Sequence, residues 1–176
     1  VYEPSMASDI SRGKVDDRLV ESLDLVPTLV DIAGGNIPNH ILEGRSLLPL
    51  LHGENPMNWR NYVVSESEYA SRIAFWDLGL EAHEARATMI RTQDWKYIFH
   101  ESFRPELFDM KNDPEELCDL GEDQAYNPIL QAMRDLMFES LRRRRTRTTR
   151  DNDYIKMRAK HALASNSKRP VYIGVW

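Results

Sequence analysis

Cysteine is almost absent from this sequence. Cys118 is the single one among 176 residues, which excludes an internal disulfide framework and any multi-cysteine zinc site. No apolar run approaches the roughly 18–20 residues that a membrane span needs, and no basic-then-apolar leader opens the chain. Also missing are a Gly-x-x-x-x-Gly-Lys phosphate loop, a Gly-x-Gly-x-x-Gly dinucleotide turn and a Gly-x-Ser-x-Gly nucleophile elbow. No internal repeat appears, which removes solenoid and propeller architectures.

What is present suffices for a packed core. Hydrophobic residues make up 41% and charged residues 29%, unlike a disordered chain, and the length suits one domain. The first residue is Val1 rather than Met, and Tyr2-Glu3-Pro4-Ser5 reads as mid-chain sequence, so a fragment of a longer protein is expected. One unpaired cysteine and no visible leader fit the cytoplasm; a signal peptide ahead of Val1 would instead direct the protein to the periplasm.

Charge is distributed unevenly. Arg142 to Trp176 hold eleven Lys/Arg and two Asp/Glu, a net of +9, whereas residues 1–141 carry -14, giving -5 in all. An acidic body with a basic tail points to a negatively charged partner for the tail. Two partners fit: nucleic acid, or the acidic body of a neighbouring copy. The densest run, Arg142-Arg143-Arg144-Arg145-Thr146-Arg147-Thr148-Thr149-Arg150, has no interleaved aromatics for base stacking, so it supports non-specific phosphate attraction at most. Ion pairing within or between copies is the stronger reading.

Local signals define the elements. Asp24-Leu25-Val26-Pro27-Thr28-Leu29-Val30-Asp31-Ile32-Ala33-Gly34 predicts a short buried helix, with Asp24 as its cap, Pro27 in the first turn and Gly34 as its stop. Residues 35–58 form a turn-rich connector. Strands are predicted over Tyr62–Tyr69, Arg86–Thr92, Trp95–His100 and Glu106–Asp109, the second and third joined as a hairpin through Thr92-Gln93-Asp94. Asp113-Pro114-Glu115-Glu116 carries a helix-start signature, and the same logic recurs at Asn127-Pro128. From there Ile129, Leu130, Met133, Leu136, Met137 and Leu141 fall on one side of a helix whose last turn continues through Arg142–Arg145. The predicted fold class is α+β: a small antiparallel sheet of about four strands packed by a long C-terminal helix.

Candidates for chemistry are few. His40, His52, His83, His100 and His161 stand far apart, none paired at i,i+4, and His83-Glu84-Ala85-Arg86-Ala87 lacks the second histidine of a zinc-protease helix. They read as structural or surface residues. Cys118 lies among acidic residues that raise a thiol's pKa, so a small buried apolar residue is expected there rather than a nucleophile. Glu66 and Glu68 share a strand face and would make an acid–base pair, but solvated acids on such a face are commoner. The residues alone describe an α+β domain without a self-contained active site.

Several longer stretches add to this reading. They are Ser22 to Gly34, with its Asp24-x-x-Pro27-Thr28; Glu43-Gly44-Arg45-Ser46-Leu47-Leu48-Pro49-Leu50-Leu51; Met89-Ile90-Arg91-Thr92 with Trp95-Lys96-Tyr97-Ile98; and Glu106-Leu107-Phe108-Asp109-Met110 followed by Asn112-Asp113-Pro114-Glu115-Glu116. In order and spacing they resemble the C-terminal part of the sulfatase family within the alkaline phosphatase superfamily. Phe103-Arg104-Pro105-Glu106-Leu107-Phe108, the Arg/Thr run 142–150 and the ending Ile173-Gly174-Val175-Trp176 look most like its phosphonate monoester hydrolase branch.

The resemblance implies a two-part hydrolase. Residues 1–58 would be the end of the large α/β domain and a connector, so that the helix near Asp24–Gly34 is left over from that domain. Residues 59–141 would be the C-terminal sheet-and-helix subdomain, and 142–176 a basic extension that supports a homo-oligomer. The parent would use a divalent metal (Mn, Ca, Mg or Zn) and a formylglycine nucleophile, matured from a Cys/Ser-x-Pro-x-Arg motif, on a small phosphonate, phosphate or sulfate ester. That motif is absent here, and the metal ligands would lie upstream of Val1. No catalytic, cofactor-binding or metal-ligating role therefore falls on any residue of this chain, which is expected to bind no metal and to be inactive alone. The expected partners are the missing N-terminal catalytic domain, another copy and the small ester; no membrane is expected. The competing reading is an interaction module whose basic tail binds nucleic acid.

Overall fold

The computed structural model describes residues 13, 15–69, 79–145 and 149–165. Strands β1 (Val63–Glu68), β2 (Arg86–Arg91), β3 (Trp95–His100) and β4 (Glu106–Asp109) form an antiparallel meander in that order. Register places Val64 opposite Ile90, Ile90 opposite Tyr97 and Tyr97 opposite Leu107, so one row of apolar side chains crosses all four strands. The turn between β2 and β3 is closed by the Thr92 N–H donating to the Trp95 carbonyl at 2.8 Å and the Trp95 N–H donating to Thr92 Oγ1 at 3.0 Å.

Three helices are most easily placed from the sheet. α1 (Leu25–Ile32) follows a 3-10 turn at Ser22–Asp24, and α2 (Leu48–Leu51) is one short turn in the connector. α3 (Asn127–Arg142) starts with Pro128 in its first turn and lies across one face of the sheet. Its Met133 and Met137 are buried against Ile90, Tyr97 and Leu107, with Ile129, Leu130, Leu136 and Leu141 packed around them. The helical stripe read from the sequence is thus the buried one, and the α+β class stands. Burial in this core raises the Tyr97 phenol above its ordinary pKa, with Arg134 pulling the other way.

Three local expectations are corrected. Asp113-Pro114-Glu115-Glu116 starts no helix. The Asp113 carboxylate accepts from the N–H groups of Leu117 (3.1 Å) and Cys118 (2.8 Å), and Glu116 takes a left-handed φ of 58°. A helix has no room to propagate there, because Leu120 N–H donates to the Leu107 carbonyl at 2.8 Å, alongside β4. Gly121 follows, where a Cβ would come within 2.3 Å of the Pro105 carbonyl oxygen. The same turn leaves Cys118 exposed rather than buried.

The third correction concerns Asp24, which makes no side-chain cap to α1. It is fully buried and its carboxylate is committed elsewhere, as described below. A fourth helix, α4 (Asn152–Ser165), was not foreseen, because its apolar residues form no strong stripe; Ile155 and Met157 are exposed. The ending Ile173–Trp176 and Thr146–Thr148 of the Arg/Thr run lie outside the described residues.

Candidate functional site

The densest polar construction joins α1, the Gly44–Leu47 segment and the entry to β1. Asp24 accepts the Glu21 N–H at 2.8 Å, the Arg45 N–H at 2.7 Å and both terminal nitrogens of Arg60, one at 2.8 Å. Arg60 also pairs with Glu21 at 2.8 Å. A carboxylate removed from water is tolerated only when its lone pairs are filled in this way. One turn on, Thr28 Oγ1 donates to the Asp24 carbonyl at 2.5 Å and accepts the Leu47 N–H at 2.8 Å. Ser46 Oγ donates to Asp31 at 2.6 Å. The Arg45 guanidinium donates to the Asn58 carbonyl and lies over the Trp59 ring at 5.8 Å.

Gly44 completes the join. A Cβ there would sit 2.1 Å from the Leu23 carbonyl oxygen, so only glycine lets the two backbones approach. The Asp-x-x-Pro-Thr and Gly-Arg-Ser-Leu stretches therefore matter because they are two halves of one joint. Sequence reasoning singled out both but missed Arg60, whose only signal was its place next to Trp59 before the first strand.

The chemistry-bearing candidates do not converge. His100 shares a 2.8 Å contact with Glu106 and is flanked edge-on by Tyr69 and Phe103. His40 stands in the loop after α1, the His83 carbonyl accepts from Arg86, and His161 lies on α4. Glu66 pairs with Arg144 at 2.9 Å in the open and Glu68 is exposed, so the two acids form no enclosed acid–base site. Among the described residues, no group of three His, Cys, Asp or Glu side chains is placed to hold a metal ion. The side chains described do not fit the divalent metal that the resemblance implies. Nor is any described helix long and apolar enough to cross a membrane.

Two surfaces remain for binding. On the sheet face away from α3, a groove of about 390 Å³ has an apolar floor of Ala87, Met89 and Ile98, with Ser65, Lys96 and His100 around it. At the C-terminal end of α3, Arg143, Arg144 and Arg145 form the shared wall of two clefts, of about 760 and 710 Å³. The basic run here folds onto its own chain, since the Arg145 N–H donates to Glu43 at 2.5 Å and its guanidinium to the Leu42 carbonyl. This arrangement can bind and shape.

Known proteins place the architecture. Over 131 residues the chain is 37% identical to a Delta 4,5-hexuronate-2-O-sulfatase of Bacteroides thetaiotaomicron, covering 73% of this chain and 25% of that protein. It is 31% identical over 123 residues to the multifunctional alkaline phosphatase superfamily protein PehA of Trinickia caryophylli, covering 67% and 23%. Among solved structures it superposes on the phosphonate monoester hydrolase of Silicibacter pomeroyi with a TM-score of 0.66 at 28% identity, over 76% of this chain and 27% of that one. The enzyme of the same name from Agrobacterium radiobacter gives 0.62 at 28%, over 70% and 25%. The chain thus spans about a quarter of the length of these relatives. The family model described as N-sulphoglucosamine sulphohydrolase, C-terminal, matches residues 5–144, which take in α1, the joint, the sheet and α3. The chain belongs to this family of sulfatase C-terminal regions.

Proposed function

We propose that this chain is the C-terminal region of a metal-dependent hydrolase that cleaves phosphonate or phosphate esters, or sulfate esters. In this reading residues 1–58 end the large α/β domain, 59–141 form the C-terminal subdomain and 142–176 the basic extension. The divalent metal, which supplies charge stabilisation at the transferring group, and the formylglycine nucleophile belong to the part outside this chain. The region described here walls the substrate cleft and fixes its depth.

The observation that carries this reading is the bare apolar face of α1. Leu25, Val26, Leu29 and Ile32 are 47%, 51%, 65% and 37% exposed, beside Leu23 and Val20, on a helix whose other side is locked into the joint. An apolar patch of that kind marks a buried interface, and the length of the relatives supplies the domain to cover it. Ile155 and Met157 on α4 support a contact with another copy through the extension.

The test is turnover by the parent protein containing these residues, on an aryl phosphonate monoester and an aryl sulfate, before and after chelation of divalent metal. Hydrolysis of either ester that chelation abolishes is the expected result. No turnover of either, or turnover indifferent to chelation, would overturn the reading. Removing Arg142–Trp176 from the parent should lower its mass in light scattering, and an unchanged mass would remove the role given to the extension.

A further inference from the structure

The two edges of the sheet are treated differently. β4 is sealed by its own chain: the Leu107 N–H donates to Asp119 Oδ1 at 3.1 Å, and the Leu107 carbonyl accepts the Leu120 N–H at 2.8 Å. At the other edge, the Tyr69 N–H donates to the Ala85 carbonyl at 2.8 Å, so the odd-numbered residues of β1 are those bonded to β2. The N–H and C=O groups of Val64, Glu66 and Glu68 therefore point away from the sheet. Glu21 accepts the Val64 N–H at 2.8 Å. Past it, the outward groups of Glu66 and Glu68 have no backbone partner among the described residues, and residues 65–68 are exposed.

A row of unpaired backbone groups is a template for another strand. Its side chains restrict which one. Ser65-Glu66-Ser67-Glu68 is polar and acidic, unlike the apolar face of α1, and so lacks the character of a surface covered by a packed domain. Two copies of this edge set side by side would bring acids against acids, which opposes self-pairing. Glu66 is held by Arg144 at 2.9 Å, but Glu68 has no ion pair among the described residues, since Arg86 opposite it turns to Glu101 at 3.8 Å. A strand that brings cations fits this edge.

The sequence holds such a segment. Eleven residues follow Ser165, the last residue of α4. Lys168 and Arg169 precede Val171-Tyr172-Ile173-Gly174-Val175-Trp176, in which every residue but Gly174 is β-branched or aromatic. Pro170 suits the position before a strand, where no N–H is needed. Fully extended, eleven residues reach about 36 Å. α4 has no extensive packing on its own sheet, and Ile155 and Met157 on it are exposed, which favours a neighbour over the same molecule as the place of contact.

We propose that the β1 edge from Val64 to Glu68 is the docking site for Val171–Trp176 of a second copy, which adds to the sheet as a fifth strand with its Lys168 and Arg169 beside Glu68. The bonds are main-chain ones, and the charges select the partner. The proposal rests on the self-association given above to the extension and supplies its site.

Hydrogen–deuterium exchange of the parent protein, resolved to single amides at high concentration and after dilution, tests it. The Glu66 and Glu68 amides should exchange about tenfold or more slowly in the concentrated sample than in the dilute one. The double variant Tyr172→Pro with Ile173→Pro, which removes an N–H whichever of the two faces β1, should abolish that slowing and lower the mass in light scattering. Glu68→Lys should weaken it as well, and adding Lys168→Glu and Arg169→Glu should restore it. Unchanged slow exchange at the Tyr97 amide would show that the fold is intact in each variant. Fast exchange of Glu66 and Glu68 at both concentrations would overturn the proposal, as would slow exchange that survives dilution, because the edge would then be covered within one molecule. If removal of Arg142–Trp176 lowers the mass while these amides stay fast throughout, the extension keeps its role and this docking site alone is wrong.

Discussion

Arg60 grips both carboxylate oxygens of Asp24 across 36 residues of sequence, in a pair whose acid is fully buried. This contact fastens the helix that presents an apolar face outward to the strand that begins the sheet. It sets the direction in which the C-terminal subdomain leaves that helix. Arg60→Ala would strand a buried carboxylate and is expected to cost about 3–5 kcal/mol, read from the midpoint of urea unfolding. The double variant Asp24→Asn with Arg60→Met should cost clearly less than the sum of the single changes, because it leaves no unpaired charge.

Gly44→Ala tests the joint from the backbone side. The added methyl would meet the Leu23 carbonyl, and neither backbone can yield without breaking the Arg45 N–H bond to Asp24. A loss of about 1–3 kcal/mol or more is expected in the same unfolding experiment. A variant as stable as wild type would show that the close approach is not a constraint.

The core row makes a graded prediction. Ile90→Ala and Met137→Ala each remove a buried side chain at the α3–sheet contact and should cost about 2–5 kcal/mol. Phe138→Ala, one residue on but 64% exposed, should stay within about 0.5 kcal/mol.

Asp119 links acid stability to the wrap around β4. Burial opposes its ionisation, but the Arg104 guanidinium and the N–H groups of Gly121 and Leu107 outweigh it and hold the carboxyl below its usual pKa. A depressed folded-state pKa contributes stability that is present above the unfolded value of about 3.9 and is lost as pH falls through the folded one. Asp119→Asn should therefore flatten the acid limb of a stability–pH curve, while the difference from wild type persists at neutral pH. Parallel curves would contradict this.

Most of the architecture was legible because the periodicities are local. The alternation in Trp95–His100 and the 129–141 stripe each fixed an element and its buried side, and Glu106–Asp109 appears with the limits expected. Failures came where a short-range signal met a longer-range demand. Asp113–Glu116 reads as a helix start, yet the pairing of Leu120 with Leu107 and the contact at Gly121 hold the chain in a turn. Asp24 reads as a cap, yet Arg60 and Arg45 draw its carboxylate inward, and no spacing rule links residues so far apart. The clefts at the end of α3 were visible only as a run of arginines, since nothing in the order of residues tells which of them find carboxylates.

The account's central claim is that the reactive groups lie outside this chain. The direct measurement is hydrolysis of an aryl phosphonate monoester and an aryl sulfate by the 176-residue chain alone, folded by circular dichroism and supplied with manganese, calcium, magnesium or zinc. The account predicts no turnover above the buffer rate with any of the four ions. Metal-dependent turnover that survives rigorous purification would contradict it.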